Sequence, residues 1–206
     1  TVPNGFASAG TSFDNTGATI TTTDTAISIN HTGAVTVGSA LSSGSGAVTV
    51  SSTGSSVTIN AAITGGIGPV SITSSTSTVT LNAPINVSSG TVSIDSATGT
   101  TVTATGDITA TGAAAVSFGA TLSGSLNTAG DVSTVGGTVH YYRPVTLTGN
   151  VVVNAGAGNI TFDTTVNADL AANNRTLALN STVTTTLGGA VGANQALLSL
   201  TTDVGG

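Results

Sequence analysis

Gly46-Ala47-Val48-Thr49-Val50 is followed by Gly68-Pro69-Val70-Ser71-Ile72, by Gly90-Thr91-Val92-Ser93-Ile94 and by Gly112-Ala113-Ala114-Ala115-Val116. The four glycines stand 22 residues apart each time (46, 68, 90, 112). A second block keeps step: Ser56-Val57-Thr58-Ile59-Asn60, Thr78-Val79-Thr80-Leu81-Asn82 and Thr101-Val102-Thr103-Ala104-Thr105, the last copy shifted by one residue. A third block is one apolar residue per unit: Ile63, Ile85 and Ile108. A fixed internal period of this length marks a repeat architecture.

Each block alternates apolar and polar residues with period two, which marks half-buried strands. Turn-formers separate the blocks: Ser51 to Gly54, Asn60, and Gly65-Gly66. Three such strands fit one triangular coil, and the next coil stacks on it at strand spacing, about 4.8 Å. The expected fold is all-β: a parallel β-helix (β-solenoid), of about nine coils at about 22 residues each. Its stack would be on the order of 45 Å long. Inward columns follow from the register: Val48/Val70/Val92, Val50/Ile72/Ile94, Val57/Val79/Val102 and Ile59/Leu81. Asn60 and Asn82 are expected to stack as a corner ladder, because Asn tolerates turn conformations and its amide bonds along a stack. The competing architecture is an antiparallel β-sandwich, which also has many short strands. The fixed period favours the solenoid.

The most regular coils span residues 46–111, and irregular coils are expected over 1–45 and 112–206 within one elongated domain. Ala26-Ile27-Ser28-Ile29-Asn30 and Thr176-Leu177-Ala178-Leu179-Asn180 look like copies of the second block. Asn159-Ile160-Thr161-Phe162-Asp163 looks like a variant with an aromatic inside. The chain opens Thr1-Val2-Pro3-Asn4, without Met or a leader pattern. It therefore reads as a processed protein or a segment of a longer repeat protein.

Composition narrows the function classes. The 206 residues carry two Arg, no Lys, no Glu and eight Asp, for a net charge of -6. Nucleic-acid binding needs clustered Lys and Arg, so no nucleic-acid partner is expected. Cys is absent, which removes disulfide frameworks and Cys-based metal sites. No apolar run reaches the roughly 18 residues of a membrane span. No cofactor pattern occurs. Disordered chains combine low hydrophobicity with high charge, whereas 38% of this chain is hydrophobic.

Three sets of residues are candidate sites. His140-Tyr141-Tyr142-Arg143, ahead of Pro144, is the chemically densest stretch. Tyr faces stack on sugar rings and Arg forks carboxylates, so it reads either as a glycan-contact patch or as a structural patch in which Tyr covers the core and Arg143 pairs with an Asp. Ser56, Thr58, Thr78, Thr80, Thr101 and Thr103 flank inward Val residues and are expected to form two hydroxyl columns on one flat face. Such Thr-x-Thr ladders are similar to the ice-binding faces of β-solenoid antifreeze proteins. Asp163, Asp169 and Arg175 are spaced six apart and are the nearest thing to the carboxylate cluster a carbohydrate-active β-helix enzyme needs. The eight Asp are otherwise scattered as turn-formers, and His31 reads as a surface turn residue. No catalytic or metal-ligating residue is assigned.

The last third carries a family likeness. Gly158-Asn159-Ile160-Thr161-Phe162-Asp163-Thr164-Thr165-Val166, then Leu187-Gly188-Gly189-Ala190-Val191-Gly192 and Leu197-Leu198-Ser199-Leu200-Thr201-Thr202-Asp203-Val204-Gly205-Gly206, resemble repeats of giant bacterial surface proteins. These are the filamentous-haemagglutinin-like and autotransporter-passenger-like adhesins and exoproteins. The resemblance implies secretion, a parallel β-helix, and roles in adhesion, biofilm matrix or surface fibres, with no catalytic residues to carry over. The chain departs from the family pattern by lacking a recognisable secretion domain. Together these features lead to the expectation of an extracellular or cell-surface structural protein. Its partners would be further copies stacked head to tail, neighbouring repeats, or surface glycans.

Overall fold

A computed structural model describes residues 1–203 of the chain. The chain is an all-β solenoid of three parallel sheets. The first sheet contains Phe6–Gly10, Ile27–His31, Val48–Ser52, Val70–Ser74, Val92–Ser96, Val116–Phe118, Val139–Tyr141, Ile160–Phe162 and Thr185–Leu187. Each of these strands opens one coil, numbered 1 to 9 in this order. The second sheet stacks eight strands, from Phe13–Asp14 through Val57–Ile59 and Gly99–Val102 to Val166–Ala168. The third stacks nine, from Ile20–Thr21 through Ile63–Gly65 and Ile108–Ala110 to Ser199–Thr202. Strand neighbours in each sheet are separated by two others in sequence, save Thr176–Ser181 and Ser199–Thr202 with one between them, which is the signature of a chain winding once per coil. The pairs are parallel, for example Val48 with Val70 and Val70 with Val92. An antiparallel sandwich is thereby excluded. The one helical element among the described residues is a 3-10 turn, Ala171–Asn173.

The core is a bundle of stacked side-chain columns. Val48, Val70 and Val92 form one, Val50, Ile72 and Ile94 another, and Ile63, Ile85 and Ile108 a third. Each of these side chains is at most 1% exposed. Full burial of such a side chain contributes about 1.5–3 kcal/mol, and the solenoid repeats that contribution at every coil.

Four registers differ from the sequence reading. Val57 and Val79 stack, but the next residue in their column is Thr100, and Val102 continues Ile59 and Leu81 instead. The turn before Gly99–Val102 is one residue shorter than its predecessor, while the turn after it is two residues longer. Thr100 is buried, and its hydroxyl meets that of Ser96 at 2.9 Å. Second, Val116 pairs with Val92, so Ala114, not Gly112, follows Gly46, Gly68 and Gly90 in the stack. At Gly90 itself the close approach of backbones favours glycine, since a Cβ there would overlap the carbonyl oxygen of Gly68. Third, Ile27–His31 pairs with Val48–Ser52 and so belongs to the first sheet. Fourth, Thr176–Ser181 pairs with Val151–Gly156 and belongs to the third. All three sheets use the same alternation, so the pattern alone does not say which sheet a strand joins. Phe162 is buried as expected, but its strand Ile160–Phe162, read as a variant of the second block, likewise lies in the first sheet.

Candidate functional site

His140 to Arg143 is not a loop patch. Val139–Tyr141 is a first-sheet strand, and strand alternation sends its residues to opposite sides. Tyr141 points inward and is 2% exposed. Its ring lies between Phe118 of coil 6, at 5.1 Å between centroids, and Phe162 of coil 8, at 4.3 Å. The three rings are near-parallel, with interplanar angles of 4° and 7°. Burial first, and the Asp131 charge second, push the Tyr141 phenol above its ordinary range. Tyr141 therefore presents no face to a sugar.

His140 points outward. Its ring stacks on Tyr142 at 3.7 Å, and its Nε2 lies 2.8 Å from Asp163 Oδ1. Arg143 does not pair with an Asp. Its Nε donates to the carbonyl oxygens of Gly119 at 2.9 Å and Leu122 at 2.7 Å. The patch thus splits into an inward aromatic, an outward His-Tyr-Asp group and a corner guanidinium.

The Gly119 and Leu122 carbonyls belong to the corner between Val116–Phe118 and Ser125–Thr128, which is longer than its counterparts. Asp95 grips the same corner from the preceding coil. Its carboxylate accepts from Thr121 N at 2.8 Å, from Leu122 N at 3.0 Å and from the Thr121 hydroxyl. Asp95 is 4% exposed, so these three bonds satisfy a carboxylate that burial would otherwise disfavour. Sequence reasoning passed over Asp95 as one more turn-forming Asp. Its signal was its position: it stands in register with Thr73 and is the first charge in an otherwise uncharged Asn and Ser/Thr column.

Asp163, Asp169 and Arg175 do not form one cluster. Asp163 is bound to His140. Asp169 and Arg175 make a two-pronged pair, Nε to Oδ1 at 3.0 Å and Nη2 to Oδ2 at 2.8 Å. The Arg175 hydrogen bonds hold the Asp169 carboxyl below the usual carboxylate range. That pair anchors the corner carrying Ala171–Asn173.

The hydroxyl face is redistributed by the register. Thr58, Thr80 and Thr101 stack in one column, which Thr36 extends on one side and Asn127, Thr146 and Asn167 on the other. Ser56 lies just before the strand Val57–Ile59. Thr78 opens the next strand, but Gly99 pairs with it and ends that hydroxyl column. Thr103 leaves the face for the corner, where its hydroxyl bonds Leu81 O at 3.1 Å. The result is one long polar column in place of two short ones. The corner ladder forms: Asn82 Nδ2 donates to Asn60 Oδ1 at 2.9 Å. A second such ladder joins Asn180 to Asn154 at 2.6 Å.

His31 is not a surface turn residue. It closes an inward strand position, is 5% exposed, and lies against Phe13. Among the described residues no group of three or more His, Cys, Asp or Glu is placed to hold a metal ion. No helix of the described residues is long and apolar enough to cross a membrane. No family model, no curated protein and no solved structure matches this chain.

Proposed function

We propose that this chain is an extracellular structural or adhesive rod, a segment or subunit of a surface fibre or biofilm matrix. The observation that carries the reading is the in-register ladder. It joins all nine coils of the first sheet, over a continuous apolar core. Tension along such a rod is shared by many parallel hydrogen bonds. The outward columns support the same reading. They are Thr, Ser and Asn over most of their length, as in Thr36 to Asn167 of the second sheet. Such faces hydrogen-bond glycans with little dependence on salt. At either end of the described residues, each sheet ends in a strand paired on one side only. Unpaired strand edges template further pairing, by another coil of the same polypeptide or by another copy.

The carbohydrate-active alternative draws no support from Asp163 and Asp169, which are bound to different partners, His140 and Arg175. The ice-binding alternative needs two adjacent regular columns, and Gly99 interrupts one of them.

Electron microscopy of unfixed protein tests the proposal. Unbranched filaments with an axial repeat on the order of 45 Å per subunit, nine coils at strand spacing, are the expected result. Isolated short rods at all concentrations would overturn assembly by end stacking and leave the glycan-contacting faces as the next target.

A further inference from the structure

We propose that Arg143 anchors a binding site for a carboxylate-bearing sugar, a uronate unit of an acidic polysaccharide. The site narrows the glycan-contacting reading, on which it rests, to one ligand class. A guanidinium is charged at any physiological pH. The chain has two arginines and no lysine. Arg175 spends both prongs on Asp169. Arg143 pairs with no carboxylate among the described residues. Its Nε is taken by the Gly119 and Leu122 carbonyls, whereas Nη1 and Nη2 have no partner among the described residues and are not buried.

The corner holds that fork in place. Residues 119–124 make a six-residue corner, where coils 7 and 8 turn in three, 142–144 and 163–165. A long corner beside short ones leaves a step, and Arg143 stands at it. Gly119 has φ +73°, and a Cβ there would collide with Arg143 Cγ. The stem of Arg143 therefore lies against the bare backbone of Gly119. Asp95 fixes the same corner from the other side through the Thr121 and Leu122 amides. A guanidinium already held at Nε loses little further freedom when a ligand arrives.

With Nε occupied, the side-on fork of Nε and Nη is closed. The end-on fork of Nη1 and Nη2 remains, and its parallel N–H donors match the two oxygens of one carboxylate. The chain's own carboxylates on the flanking coils are engaged, Asp95 with the corner amides and Asp163 with His140. What flanks the fork favours a sugar over a bare acid. Asn127 and Thr146 stand outward and half-buried in the polar column of the second sheet. Thr146 is three residues from Arg143, a span on the order of 10 Å, within the reach of a short oligosaccharide. The sugar hydroxyls then meet uncharged donors and acceptors. In a chain of net charge -6, the fork is where an acidic polymer gains attraction.

Nuclear magnetic resonance titration of the 206-residue chain tests this, with hexagalacturonate as the probe and its methyl ester as the uncharged control. The Arg143 Nε–H signal and the 119–124 amides should shift, and the Arg175 Nε–H signal should not. The acid should bind at least about tenfold more tightly than the ester, the worth of a hydrogen bond to a charged group. Arg143→Lys keeps the charge without the fork and should weaken binding about tenfold. Arg175→Gln should leave binding unchanged. The acid–ester comparison and the two arginine signals are read on the unsubstituted chain, so a corner loosened by Arg143→Lys does not decide the outcome. Equal binding of acid and ester, shifts centred on Arg175, or tighter binding of hexa-aspartate than of hexagalacturonate would each overturn the site. Binding of neither sugar would count against glycan contact as a whole, whereas equal binding of both would count against the fork alone. The titration uses dispersed chains, so neither result bears on filament formation.

Discussion

Coils 3 and 4 and coils 5 to 8 use the same three sheets but close their corners differently. From Val48 to Val70 to Val92 the chain advances 22 residues per coil, and the corners carry no charged residue. From Val92 to Val116, Val139, Ile160 and Thr185 the steps are 24, 23, 21 and 25 residues. Here Phe118, Tyr141 and Phe162 replace the aliphatics of the inner column. Both arginines lie in this stretch, bound to corner carbonyls or to Asp169. A solenoid tolerates extra residues only at its corners, since each strand must keep register with two neighbours. A longer corner has backbone groups that no neighbouring coil satisfies, and a charged side chain is the compact way to satisfy several at once.

Core truncation gives the largest expected effects. Phe162→Ala opens a void beneath Tyr141 and should cost about 4 kcal/mol, against about 3 kcal/mol for Ile72→Ala in the regular stretch. The aromatic stack adds about 1 kcal/mol beyond area burial. Urea titration reports both. Equal losses would mean that the three-ring column is merely an aliphatic column in another form.

Asp95→Ala comes next. It strips the acceptor from Thr121 N and Leu122 N, and should cost about 2 kcal/mol. Thr73→Ala at the same register position one coil earlier should stay within about 0.5 kcal/mol. Hydrogen exchange should accelerate over residues 119–124 in the Asp95 variant alone. A matching loss in the Thr73 variant would show that the position, not the carboxylate, holds the corner.

The legible and illegible parts of the chain fall along the same divide. Val48/Val70/Val92, Ile63/Ile85/Ile108 and the Asn60–Asn82 pair were readable, because constant coil length makes sequence spacing equal spatial stacking. The column through Val102 was not, because a shortened corner and a lengthened one nearly cancel over the full coil. Val116 was misplaced by the same kind of change, two residues hidden behind a glycine that kept the period. Ile27 and Leu177 joined sheets other than expected, since an Ile-Ser-Ile or Leu-Ala-Leu alternation fits any of the three. In the candidate patch, the alternation of Val139-His140-Tyr141 already implied that Tyr141 faces inward. The density of unusual residues drew the reading toward a surface site instead.

The smallest expected difference concerns the two amide ladders, one in each stretch. Asn82 to Asn60 is exposed, while Asn180 to Asn154 is shorter, partly buried and next to the irregular register at Gly156. An exposed amide bond competes with water at every moment, whereas a partly buried one leaves its partner unsatisfied when broken. Double-mutant cycles with Ala should therefore give a coupling of about 0.5 kcal/mol for Asn60–Asn82 and about 1 kcal/mol for Asn154–Asn180. The exposed ladder is also short, because Thr103 takes the next corner position and turns its hydroxyl to Leu81 O. Thr103→Asn would extend it by one rung. If that substitution stabilises coil 5 by an amount similar to the Asn60–Asn82 coupling, the corner ladder is additive and local, and the regular stretch behaves as a sum of neighbouring coils. A larger gain would mean that amide stacking is cooperative along the corner, so that the regular stretch was held below its attainable stability by one threonine.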